Sequence, residues 1–163
     1  MSTQRQKMQE MIRRYKAETG ETDVNLRSVA SWMVQHGWRA PSPITPIDRL
    51  AKELAIAARE EMRHDEVTGQ PYRANHAMVV HHRDGAQLSF WIDIDDAATT
   101  RGKISLSLGQ RREQMVGDAV QLTLDANHWN RSHPTEKAIK PEMDFTDDVE
   151  WRLNAPAEQS GVG

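Results

Sequence analysis

HAMVVHHRDGAQLSFWIDI, residues 76–94, decides the fold. Two runs rich in β-branched and aromatic residues flank Asp84-Gly85, the dipeptide that favours a two-residue type I′ turn, and together they predict a β-hairpin. With Asp84 and Gly85 as the turn, Arg83 faces Ala86, His82 faces Gln87 and His81 faces Leu88. Alternation then sends Ala77, Val79, Leu88, Phe90, Ile92 and Ile94 to one side, the expected core side, with His81 at its rim. Met78, Val80, His82, Gln87, Ser89 and Trp91 go to the other, where His76 lies opposite Asp93.

This register disperses the polar groups crowded into 81–96. Asp84 belongs to the turn, and His81 and His82 point to opposite faces. What remains together is His76, Asp93 and Asp95 on the Trp91 side. An imidazole with two carboxylates could bind a divalent metal and activate water. An ordinary cross-strand His–Asp pair, with Asp95-Asp96 capping the following turn, accounts for the same residues. Metal-dependent hydrolysis is therefore the minor alternative, and neither metal nor cofactor is expected.

Three helices precede the hairpin. Met8, Met11, Ile12 and Tyr15 form a helical stripe within 3–17, stopped by Gly20. Leu26, Val29, Ala30, Met33 and Val34 repeat it, with Asp23 or Asn25 as N-cap and Gly37 as the stop. Thr45-Pro46-Ile47-Asp48 starts a third helix, with a capping hydroxyl, proline at the first position and an acid in the first turn, running to about Arg63. Beyond the hairpin, 103–109 alternates Ile104, Leu106 and Leu108, which predicts a third strand. From Gln110 to Asn130 Met115, Val116, Ala119, Leu122, Ala126 and Trp129 return to helical spacing, and Pro134 closes that fourth helix.

The fold class expected is α+β. The element order over residues 3–95 resembles a winged-helix domain, in which a three-helix unit leans against a β-hairpin and the third helix faces DNA. The connection from Gly37 to Thr45 departs from a tight helix-turn-helix, which is three or four residues long. The domain expected is 1–132, with the fourth helix appended, followed by an acidic extension over 133–163 whose last residues, 155–163, are disordered by composition.

The resemblance directs attention to the third helix. Ile47, Leu50, Ala51, Leu54, Ala58 and Met62 cluster on one side, where they would be buried. Arg49, Lys52, Arg59 and Arg63 occupy an arc of about 80° opposite, at 100° per residue. One buried stripe and one basic stripe suit a helix that meets phosphates and base edges. Glu53 and Glu60 border the basic stripe, however, and Arg49–Glu53 is the four-residue pairing of a solvated face. Arg83 at the hairpin tip, and Arg13, Arg14 or Lys16 on the first helix, could add backbone contacts. Arg101, Lys103, Arg111 and Arg112 form a second basic patch, with no acid between Ala97 and Arg112; it could grip phosphate, but solubility of a loop and a helix start is the preferred explanation.

Composition narrows the classes. The 163 residues suffice for one domain with a core, and the net charge of -3 means that nucleic-acid contact needs a local basic patch. With no cysteine there is no disulfide scaffold, thiolate zinc site or cysteine nucleophile. His128 and His133 lack zinc-site spacing, and GxSxG, P-loop and GxGxxG patterns are absent. No signal-peptide core or membrane-length apolar run occurs, so a cytoplasmic, non-enzymatic protein is expected.

Two binding functions follow. The first is a nucleic-acid-binding regulator or accessory factor, duplex DNA being the expected form and a homodimer through 110–130 the expected assembly. The second is an interaction subunit of a larger bacterial-type complex. In it the acidic segment 141–154 presents Phe145, Val149 and Trp151 to a protein partner, or else caps a short helix from Asp144 or Thr146.

Overall fold

The computed structural model describes residues 3–155, so the tail expected to be disordered lies, after Ala155, outside the described residues. The class is α+β: the described residues form five helices and two small antiparallel two-stranded sheets. The chain divides into two compact units, 1–52 and 53–163, the division falling inside the third helix. No helix is long and apolar enough to cross a membrane among the described residues.

The first unit is built on α1 (Gln4–Thr19) and α2 (Leu26–Gln35). Thr3 opens α1 with a reciprocal capping box through Gln6, and Gly20 ends it in the left-handed region at φ 76°. Asn25 caps α2 by accepting from the Arg27 amide. Tyr15, Val29 and Met33 are buried together, with Met11, Ile12, Val24, Trp32 and Trp38 packed around them. Tyr15 meets Trp32 edge to face at 5.7 Å and donates its hydroxyl hydrogen to Glu21.

The third helix, α3, runs Pro46–Glu60. Thr45 caps it as expected, its hydroxyl accepting from the Asp48 amide and donating to the Asp48 carboxylate. It stops three residues short of Arg63, because 62–64 pair instead as β1 (Met62–His64) with β2 (Pro71–Arg73). Asp65 closes that small hairpin by accepting from the Val67 and Thr68 amides and the Thr68 hydroxyl. The apolar stripe of α3 is not buried: Ile47, Leu50 and Leu54 are all exposed.

The second hairpin forms where expected, as β3 (Asn75–His81) and β4 (Gln87–Asp93), but one residue out of the expected register. Gly85 donates to the His82 carbonyl and His82 to the Ala86 carbonyl, and Gly85 alone of the turn has positive φ, at 83°. Asp84 is therefore the second central residue of a type I turn, with Gly85 in the following bulge position, a three-residue loop in place of the type I′ turn. The Asp84 carboxylate reinforces it by accepting from the Ala86 amide. His76 consequently faces Ile92 and Asp93 faces Asn75. Ala77 and Val79 share a face with Ser89 and Trp91, while Met78 and Val80 share the other with Leu88, Phe90 and Ile92, which corrects the side-chain sets above.

Residues 103–109 are helical, not a third strand. They belong to α4 (Arg101–Ser132), capped by the Thr100 hydroxyl, which accepts from the Lys103 amide. The reason lies at the edge of β3. Antiparallel pairing turns the backbone groups of residues 77 and 79 away from β4, since its partners include the flanking even positions 74 and 82. Ser107, buried, donates to the Ala77 carbonyl. The Gln110 amide accepts from the Val79 N–H at 2.9 Å and donates to the Val79 carbonyl at 2.7 Å. Ser107 and Gln110 are one helical turn apart, so a helix here satisfies and shields an open strand edge. The last helix, α5 (Thr146–Asn154), starts where the sequence placed it, with the Asp144 carboxylate accepting from the Thr146 amide.

Candidate nucleic-acid interface

Ala74 joins the two hairpins of the second unit. It is fully buried, its amide donates to the Glu61 carbonyl, and its own carbonyl accepts from the Ile94 amide. Around that joint sits an ion-pair cluster. Arg63 grips both Asp93 oxygens at 2.8 and 2.7 Å, reaches Asp95 at 2.7 Å and touches Glu61 at 3.1 Å. Tyr72 donates to Asp95, and the Asn75 amide bonds Glu61 and the Ala58 carbonyl. The forked guanidinium holds the Asp93 carboxyl down to about 2, with the Asp95 amide assisting. The same contacts hold the Arg63 guanidinium more firmly protonated, and the hydrogen bond to Asp95 pushes the Tyr72 phenol up.

This cluster settles the placement of four sequence candidates. Arg63 is on β1, not on the third helix, and its charge is spent on three carboxylates. Asp93 and Asp95 face Arg63. His76 instead bonds the Arg73 carbonyl through Nε2 at 3.0 Å. A carbonyl only accepts, so Nε2 carries the hydrogen and Nδ1 is the open nitrogen. The expected His76–Asp93 pair does not form, and no three His, Cys, Asp or Glu groups converge as a metal site among the described residues.

Next to the joint, on the Ala77–Trp91 face of the hairpin, lies a concavity of about 230 Å³. Arg59 enters from the last turn of α3, Arg73 from the end of β2, His76 and Trp91 from the hairpin, and Arg111 and Gln114 from α4. Asn75, Ala77, Val79, Ser107 and Gln110 complete the lining. Three arginines meet there, with no carboxylate in the wall among the described residues. None of the three forms a salt bridge among the described residues. The Arg59 guanidinium lies 5.4 Å from the centre of the Trp91 ring, a cation–π arrangement. Ser107 and Gln110 are occupied by the β3 backbone, which leaves the arginines, Gln114 and the Trp91–Arg59 pair for a ligand.

The other basic candidates are scattered. Arg49 and Lys52 are exposed on α3, and Arg83 is exposed in the hairpin turn. Arg101 and Lys103 occupy the first turn of α4, where the helix dipole disfavours cations. Arg112 is exposed beside Glu113. Arg14 bridges Glu18 and covers Trp32. Two residues from separate sequence patches, Arg59 and Arg111, thus meet in one site. Arg73, His76, Trp91 and Gln114 complete it. Arg73 was hidden in QPYR, where proline and a preceding Gly69 turn masked a short strand. On the acidic segment, Phe145, Val149 and Trp151 are exposed, Trp151 by 71%.

Comparison with family models, with curated proteins and with solved structures finds no match.

Proposed function

We propose that the chain is a non-catalytic nucleic-acid-binding protein, a regulator or accessory factor, whose contact surface is the Arg59–Arg73–Arg111 concavity. The observation that carries this is the convergence, beside a tryptophan, of three arginines that among the described residues form no salt bridge and have no carboxylate in the surrounding wall, in a chain of net charge -3. Guanidinium groups suit phosphate oxygens, and within about one screening length a local patch outweighs an unfavourable total charge, because the charges farther off are screened. Arg49 and Lys52 in the first unit, and Arg83 at the hairpin tip of the second, are each further candidates for phosphate contact. A winged-helix-like reading of the fold belongs with this proposal, and the element order of three helices followed by a hairpin supports it, although the β1–β2 hairpin intervenes. The test is affinity for nucleic acid at low salt. Wild type binds, and changing Arg59, Arg73 and Arg111 to Ala abolishes binding while the fold is retained. Equal binding by the triple variant would refute the assignment.

A second function, as an interaction subunit, is favoured by a different observation. Leu108, Met115, Leu122 and Trp129 recur every seven residues along α4 and are each 45–59% exposed. A seven-residue apolar repeat is what a helix presents to another helix, and a second copy of this chain is the partner proposed. Phe145, Val149 and Trp151 would engage a further protein. The two functions are compatible, since a two-fold dimer doubles the basic concavity.

A further inference from the structure

We infer that the concavity takes single-stranded nucleic acid, one unstacked base lying against Trp91 and the neighbouring phosphates meeting Arg73 and Arg111. This rests on the nucleic-acid proposal above and narrows it, in place of the duplex expected from the sequence. Three features of the site point the same way. The first is its shape. A volume of about 230 Å³ is below the ~300 Å³ at which pockets begin to enclose a whole drug-sized molecule. It accommodates a piece of a ligand, such as a base, while the rest runs outside. Duplex phosphates lie on a convex surface and gain nothing from a recess.

The second is the aromatic wall. Trp91 is half-buried in the lining, and Arg59 lies over its ring. Indole and guanidinium planes are the surfaces on which unpaired bases stack, whereas in a duplex both faces of each internal base are already stacked. A tryptophan–arginine pair recessed in a basic wall therefore offers a stacking surface that only a base free to leave its stack can use. The third is the remaining polar equipment. Gln114 is the uncommitted neutral side chain in the lining, enough to touch a base edge. The charged groups are arginines alone, which select for flanking phosphates without reading sequence.

The experiment compares a fluorescently labelled mixed-sequence oligonucleotide, single-stranded or annealed to its complement, by anisotropy at low salt with the full-length protein. The single strand binds about tenfold or more tightly than the duplex, the scale of losing one stacked base. Trp91→Leu removes that preference, whereas Trp91→Phe, which keeps a π face, retains most of it. Arg73→Ala and Arg111→Ala, both at exposed side chains, weaken the single strand without unfolding the hairpin, as circular dichroism verifies. Duplex binding equal to or tighter than single-strand binding overturns this inference but leaves the nucleic-acid proposal standing. Absence of binding to either form overturns both. A nucleoside monophosphate that displaces the strand at equal concentration overturns the strand in favour of a free nucleotide.

Discussion

At the scale of single residues, the second unit is organised by one guanidinium. Arg63 ties β1 to the end of β4 through Asp93 and Asp95, and so fixes the direction in which the hairpin leaves Ala74. Because the Asp93 carboxyl is held at about 2, below the ordinary carboxylate value near ~3.9, its ionised form favours the folded state. That contribution is present at neutral pH, and it fades as pH falls from about 4 through about 2. Asp93→Asn is therefore expected to lower thermal stability at pH 7 and to flatten the acid limb of the stability profile in that window. Melting temperatures of the two proteins across pH check it. An unchanged acid limb would show that the pair does not link the strands.

At the scale of elements, the decisive contact is the one between α4 and the edge of β3. Gln110 makes two backbone bonds that a strand would otherwise make, so Gln110→Leu strands the Val79 N–H and carbonyl. A cost on the order of 1 kcal/mol follows, measurable by urea unfolding, with faster amide exchange at Val79 than in wild type. Unchanged Val79 exchange would contradict the edge-capping role. The same contact explains what the sequence concealed. α1 and α2, and the start of α3, were legible because Gly20, Asn25 and Thr45-Pro46 act locally. So was the existence of the hairpin. Residues 103–109 were not, since Ile104, Leu106 and Leu108 alternate like a strand while Ser107 and Gln110, which hold the helix, find their partners about 30 residues away. The hairpin register was missed because Asp-Gly serves both the two-residue turn and the type I turn with a bulge. That one-residue difference moved His76 away from Asp93, and dissolved the metal constellation.

At the scale of the whole molecule, the candidate site is a product of tertiary assembly. Arg59 and Arg111 were visible as members of separate patches, but their meeting with Arg73, His76 and Trp91 depends on the hairpin joint at Ala74 and on α4 crossing the β3 edge. The exposed repeat on α4 gives a further expectation: the protein runs at twice its monomer mass in light scattering, and Met115→Glu with Leu122→Glu returns it to a monomer. A wild-type monomer would contradict pairing through α4. The most direct test of the nucleic-acid assignment is the salt dependence of binding. Each phosphate neutralised contributes about 0.7 to the slope of log affinity against log salt for a single strand. Loss of the two phosphate-facing arginines is thus predicted to lower the slope of the Arg73→Ala, Arg111→Ala protein by about 1.4. A slope identical to that of wild type would contradict the assignment of this concavity as the nucleic-acid surface.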